Sequence, residues 1–152
     1  MAKLDHLLER CARHGVLTSP HRVRLRATEC AILPLFSWYH ETFDVEPDVE
    51  GLRLPSVSRA VLDYSACRWS PPSLTTGSEA LAHAFDGLND ERVGAPQPRH
   101  PAATPLGSWE KLQRGEPCIS FSHFLPRIEL MPEKRFLTYP PLMKCIGSAP
   151  LG

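Results

Sequence analysis

The sequence predicts a mixed α/β (α+β) fold with three or four helices, two or three strands and long proline-rich loops. Apolar residues recur at helical spacing in several segments. Two short apolar runs, near residues 31–38 and 118–121, have the composition of strands. The 152 residues include 16 prolines, roughly twice the average usage, so much of the chain is expected to lie in loops.

Amphipathic spacing predicts three helices, and Pro132 indicates the first turn of a short fourth one. The first ends near Gly15, and the second begins after Ser56 and ends near Trp69, ahead of two prolines. The third begins after Ser78, a residue type that caps helices, and a short fourth covers Glu133–Leu137. The predicted buried faces of the first three are Leu4, Leu7, Leu8 and Cys11; Val57, Ala60, Val61 and Tyr64; and Leu81, Ala84, Phe85 and Leu88.

The strand predictions rest on apolar and β-branched composition. Ala31–Trp38 is predicted as a core strand, with Pro34 indicating an edge, a bulge or an early end. Cys118–Phe121 lies between two prolines and is predicted to be a short buried strand. An earlier segment alternates basic residues and is predicted to be an edge strand whose charges face water: Arg22, Arg24 and Arg26.

Two segments are predicted as loops within one domain covering residues 1–152. Tyr39–Pro55 carries five acidic residues without the spacing of a calcium loop, so its charges are expected to be mostly solvated. Asn89–Pro117 is rich in proline, glycine, arginine and alanine, which predicts a loop or linker of extended, poorly packed chain. Trp109 and Leu112 are the residues in it expected to reach the core.

The composition bears on which partners the chain is expected to bind and on its location in the cell. The 17 basic and 17 acidic side chains balance, so there is no electrostatic reason to expect binding to nucleic acid or to an anionic membrane. The sequence contains neither an apolar run approaching the ~20 residues of a membrane span nor a secretory signal. Five cysteines, an odd number without tight spacing, favour reduced thiols and a cytoplasmic location.

Three segments together resemble the calcineurin-like metallophosphoesterases, specifically an uncharacterised branch of that superfamily. They are Pro34–His40 with the following Phe43-Asp44, the stretch Asp63–Trp69, and Ile119–Gly147. The resemblance covers most of the chain in the same order. It implies a two-sheet β-sandwich flanked by helices, a pair of divalent metals of the manganese, iron or zinc type at the strand ends, and hydrolysis of a small phosphate ester.

The resemblance also implies site residues. His123 follows the predicted strand and matches the family's lone histidine metal ligand, and family geometry makes His40 a substrate-facing residue. Arg127 is a second substrate candidate, since its guanidinium group suits phosphate. The family's D-x-H, G-D-x-x-D, G-N-H and G-H-x-H motifs do not occur. We therefore expect a middle portion of the family domain that lacks its N-terminal and C-terminal metal motifs.

One imidazole cannot hold two metals, so the family hydrolase is expected to be inactive or incomplete in this chain. The alternative is a non-catalytic interaction module, with self-association through uncovered sheet edges. Other interpretations stay open for single residues. His123 and His40 could be structural, and Arg127 could pair with a nearby acid such as Glu129.

Two further candidate sites receive little support from the sequence. Cys11 and His14 have the spacing of half a zinc site, but no second ligand pair completes it. Ser122 and His123 are adjacent on a strand, so their side chains point to opposite faces and are poorly placed to share a proton.

Overall fold

The computed structural model describes residues 2–26 and 28–151 and confirms a mixed helical and strand architecture. Within those residues, no helix has both the length and the apolar composition needed to cross a membrane. The α-helices are α1 (Ala2–Arg13), α2 (Val57–Ala60), α3 (Asp63–Ala66) and α4 (Glu79–Arg92). The strands are β1 (His21–Leu25), β2 (Thr28–Pro34), β3 (Ala103–Pro105) and β4 (Cys118–Phe121).

The chain divides into two compact units. We call Met1–Phe36 with Gly87–Ser122 the sheet unit, and Ser37–Asp86 with His123–Gly152 the aromatic unit. The chain passes from one unit to the other three times, once within α4.

The sheet unit contains one mixed four-stranded sheet in the order β3-β1-β2-β4. β1 pairs antiparallel with both β2 and β3, whereas β2 and β4 are parallel. Arg26 follows β1 with a φ of 55°, the left-handed backbone that tight hairpin turns require. β2 ends at Pro34, so the early strand end predicted from that proline is confirmed.

The prediction of an edge strand at the alternating arginines is wrong, because β1 lies between β3 and β2. Of these arginines, Arg24 is well exposed, but Arg22 is mostly buried. The Arg22 guanidinium donates to the two Glu116 carboxylate oxygens at 2.6 and 3.0 Å and also to the Lys111 carbonyl. This bidentate pair ties the centre of the sheet to the segment that leads into β4.

The Asn89–Pro117 segment, predicted as loop or linker, contributes both a strand and core residues to the sheet unit. It contains β3, and its Leu106 is fully buried. Trp109 and Leu112 pack against the core, as predicted. The core of this unit consists of Ala31, Leu33, Val93 and Leu106.

Asn89 completes the hydrogen bonding just beyond the end of β2. Its side-chain oxygen accepts the Phe36 N–H at 2.7 Å, and its side-chain nitrogen donates to the Phe36 carbonyl at 3.0 Å. A strand that ends inside a protein leaves such backbone groups to be satisfied. The amide of Asn89 therefore takes the place of a further strand residue.

The aromatic unit is built around Trp38. Its ring lies 4.6 Å from Trp69, 5.4 Å from Phe85 and 5.7 Å from Phe124, measured between ring centroids. Tyr39 stacks beside it at 5.3 Å and is fully buried. Aromatic contacts of this kind contribute about 0.5–1.5 kcal/mol each beyond the area they bury.

Of the four predicted helices, two agree closely with the structure, one is split, and the one at Glu133–Leu137 is a 3-10 helix over Lys134–Phe136. α1 matches the N-terminal prediction, and Ser78 caps α4 by accepting the Leu81 N–H at 3.3 Å. The helix predicted from Ser56 to Trp69 is instead split into α2 and α3, because Val61 adopts extended backbone. Val61 packs against the buried cluster around Tyr39, so tertiary packing outweighs the helical pattern here.

The strand predicted at Cys118–Phe121 is present as β4, but the prediction that it is buried is wrong. All four of its residues are exposed. β4 is the last strand of the sheet order, so it has a neighbour only on its β2 side. Apolar composition can predict a strand, but it does not show whether other parts of the chain bury that strand.

Candidate functional site

His123, the predicted metal ligand, comes two residues after β4 ends and is exposed. Its ring makes an edge contact with Phe124 at 4.7 Å. Throughout residues 2–26 and 28–151, no three His, Cys, Asp or Glu side chains form a group that could hold a metal ion. The described residues therefore do not fit the metal pair that the resemblance implies, nor a zinc site at Cys11 and His14.

His40, a predicted substrate residue, is buried in the aromatic unit and bonded at both ring nitrogens. Its Nε2 accepts the Ala149 N–H at 3.0 Å, so the proton of the neutral ring must be on Nδ1. Nδ1 then donates to Thr42 Oγ1 at 2.7 Å, and the Thr42 hydroxyl donates to Glu79. His40 holds three segments together and has no free nitrogen for a substrate proton.

Burial lowers the pKa of His40 from its ordinary value. The carboxylate of Glu79 opposes this effect, and the neighbouring His83 adds to it. The neutral imidazole is therefore the native form, which agrees with its acceptance of a backbone N–H at Nε2.

Arg127, the second predicted substrate residue, pairs with Glu129, which is one of the alternatives left open by the sequence. The Arg127 guanidinium is 3.1 Å from the Glu129 carboxylate, and both side chains are mostly exposed. Arg127 also lines an open groove of about 320 Å³ whose wall includes Thr42, the hydrogen-bond partner of His40. The structure thus places Arg127 and the His40 network in the same unit, with His40 itself enclosed.

Lys134 is the centre of a buried group of ion pairs that no local sequence pattern marks. The Lys134 side chain is 2% exposed, and its ammonium lies 2.6 Å from Asp44 and 2.7 Å from Asp48. The Lys134 backbone N–H also donates to the Glu46 carboxylate at 2.9 Å. The prediction that the acidic loop is mostly solvated is therefore wrong for Asp44, whose side chain is buried, and holds for Asp48.

The charges in this centre reinforce one another. Burial acts against the Lys134 ammonium, but the hydrogen bonds and negative charges of Asp44 and Asp48 outweigh it and raise the pKa of Lys134. The hydrogen bond from Lys134 and its positive charge, with a further effect from Lys144, lower the pKa of Asp48. An open cavity of about 340 Å³ adjoins the centre, with Lys134, Lys144, Asp48 and Glu41 in its wall.

Two of the five cysteines, Cys145 and Cys118, have raised thiol pKa values. None of the five cysteines is in a disulfide. Burial raises the pKa of Cys145 to about 11, and nearby Asp63 and Glu41 add to the shift. Burial, Cys30 and Glu116 likewise raise the pKa of Cys118. Both thiols are therefore protonated at neutral pH, whereas the thiolate is the reactive form.

The outer edge of β4 is an accessible bonding surface of the sheet unit. On its inner side, the Pro117 carbonyl accepts the Ala31 N–H at 2.8 Å and the Phe121 carbonyl accepts the Leu35 N–H at 3.0 Å. Alternate residues of a parallel strand bond to the same neighbour. The backbone groups of Cys118 and Ser120 therefore point outward, and no hydrogen bond among the described residues occupies them.

Comparison with known proteins gives no matching family model, no matching curated protein and no matching solved structure. The resemblance to the calcineurin-like metallophosphoesterases therefore stays a prediction from the sequence segments quoted above.

The ion-pair centre predicts a large difference between two lysine substitutions. Lys134→Met leaves the buried Asp44 carboxylate without its cation, and we expect the free energy of unfolding to fall by about 3 kcal/mol or more. Urea unfolding followed by tryptophan fluorescence measures this. Lys144→Met is the matched control, because the Lys144 amine lies 3.9 Å from the exposed Asp48. Equal effects of the two substitutions would contradict the role assigned to Lys134.

The His40 network predicts a loss of stability in mild acid. The folded pKa of His40 lies below its unfolded value of about 6.5, so the unfolded state takes up a proton first. Stability is complete above that pH and declines as the pH falls toward the folded pKa. Thermal unfolding between pH 8 and pH 5 measures this.

Two histidine substitutions separate this effect from the other titrating groups. A His40→Leu variant should have lower stability throughout and a weaker pH dependence. The exposed residue provides the control, since His123→Ala should keep the wild-type pH profile. A His40→Leu profile parallel to that of the wild type would show that another group controls the transition.

Proposed function

We propose that this chain is a non-catalytic interaction module, related to the calcineurin-like metallophosphoesterases, that binds a partner strand at the outer edge of β4. The observation that carries the proposal is the free edge itself. Its two outward donors and two outward acceptors lie on a strand whose residues are all exposed. Adding a strand to such an edge is a common mode of protein recognition.

The family relationship is supported by the order of features along the chain. The family's lone histidine follows an apolar strand, and His123 follows β4 in the same way. In this proposal the mixed sheet corresponds to one sheet of the family's β-sandwich. The parallel arrangement of β2 and β4 agrees with this correspondence, because parallel strands end on the same side of a sheet and bring the residues that follow them together there.

The surroundings of the candidate metal-binding and catalytic side chains support the proposal that the module is non-catalytic. His123 has no neighbouring ligands among the described residues that could complete a metal site. Both nitrogens of His40 are bonded within the protein. The raised pKa values of Cys145 and Cys118 keep these thiols protonated.

The choice of β4 over the other edge of the sheet is supported by strand length and composition. β3, at the opposite edge, has three residues and ends in Pro105, and both features blunt an edge against pairing. β4 has no proline and no charge within it. Its Ile119 and Phe121 are 56% and 55% exposed, so a partner strand would also bury apolar surface.

We propose a cytoplasmic, reducing compartment for the chain, supported by its five cysteines, none of which is in a disulfide. The second candidate function is hydrolysis of a small phosphate ester with a divalent metal pair, and the sequence resemblance alone favours it.

The two candidates make opposite predictions for the purified chain with added manganese. We expect no turnover of p-nitrophenyl phosphate or bis-p-nitrophenyl phosphate and less than one bound metal per chain, because the described residues do not assemble a ligand group. Turnover and metal content are measured on the same preparation, beside a His123→Ala control. Turnover that is lost in the control, together with about two metals per chain, would overturn the non-catalytic proposal.

A further inference from the structure

We infer that the partner strand at this edge is β4 of a second copy of the chain, paired antiparallel about a two-fold axis through Ile119. This inference rests on the proposed function, because it requires the outer edge of β4 to be a docking surface. It adds the identity of the partner, the register of pairing and the symmetry of the complex.

The backbone of β4 fits a second copy of itself in one register. A two-fold axis through Ile119 creates two equivalent pairs, one on each side of the axis, in which Cys118 of one copy lies opposite Ser120 of the other. Cys118 and Ser120 are the residues whose backbone groups point outward, so each pair exchanges two hydrogen bonds. All four outward groups of each strand are then bonded, and the sheets join into one of eight strands.

The side chains of β4 are also compatible with this register. Successive residues of a strand point to opposite faces, so Ile119 and Phe121 share the face that also includes Pro117. Across the axis, Ile119 meets Ile119 of the second copy, and Phe121 meets Pro117 of the second copy. The exposed apolar side chains, 56% and 55% exposed in the single chain, thus cover one another.

Charge favours a second copy over a strongly acidic or basic partner. Cys118–Phe121 carries no charge, and the chain as a whole has a formal net charge of zero at pH 7. Two copies therefore approach without net electrostatic repulsion, and the register places no like charges opposite each other within the strand. A pair of four-residue strands buries little area, so the dimer is expected to form only at high protein concentration.

Sedimentation of the full chain over a wide concentration range tests for the dimer. The wild type should shift from monomer to dimer mass as its concentration rises. Ser120→Pro should weaken this association by about tenfold or more, because the two-fold axis makes the substitution remove two hydrogen bonds, one from each copy. The proline removes only an outward N–H and leaves the bonds to β2 intact. Edge strands tolerate proline at such a position. Leu62→Pro provides the control outside the sheet unit, because Leu62 is 74% exposed and its φ of −60° already suits proline.

A cysteine placed on the two-fold axis tests the register without relying on a destabilising substitution. In a Cys118→Ser background, Ile119→Cys puts two thiols across a non-hydrogen-bonded pair with Cα atoms about 4.5 Å apart, within the range of a disulfide. Mild oxidation with diamide should cross-link this variant rapidly. Leu130→Cys in the same background is the control, since Leu130 is 62% exposed and lies outside the sheet unit.

Three outcomes decide between the possibilities. Concentration-dependent dimerisation that Ser120→Pro weakens, with selective cross-linking at position 119, supports the second copy. A monomer at all concentrations, or equal cross-linking at positions 119 and 130, overturns it. If that monomer still binds a fluorescent peptide of alternating valine and threonine, and Ser120→Pro abolishes binding, the interaction module stands with a different partner. If the chain stays monomeric and does not bind the peptide either, both the dimer and the interaction module are overturned.

Discussion

The parallel pairing of β2 with β4 is the constraint on which the functional account depends. It fixes which backbone groups of β4 are already bonded, and therefore which remain outward. β4 is also the last strand in the sheet order, although its composition is that of a buried strand. The exposed apolar side chains and the unbonded backbone groups are thus consequences of one arrangement.

The aromatic unit is stabilised in a different way, by a small number of buried polar contacts added to an aromatic core. Trp38 and Tyr39 supply the apolar contacts, while Lys134 and His40 each hold segments that are far apart in sequence. The Lys134 and Asp44 side chains, for example, meet across a separation of 90 residues. Because their bonding groups are committed to such contacts, His40 and Lys134 have no bonding capacity left for a substrate.

Local features of the fold could be predicted from the sequence, whereas pairings and burial could not. Helical spacing located α1 and α4, and apolar composition located β2 and β4, because each pattern reflects its own segment. The interior position of β1 and the exposed position of β4 depend on which strands lie beside them. Periodicity within a strand carries no information on that point. The buried state of Asp44 likewise depends on a lysine that no local pattern marks.

The central claim, that β4 is a free edge bonded on one side only, is tested most directly by amide hydrogen exchange resolved for single residues. At low protein concentration the account predicts an alternation, with the amides of Ile119 and Phe121 protected by β2 and those of Cys118 and Ser120 exchanging rapidly. Uniform protection of all four amides in a monomer would show that the outer edge is already covered. Uniform rapid exchange would show that β4 is not paired with β2.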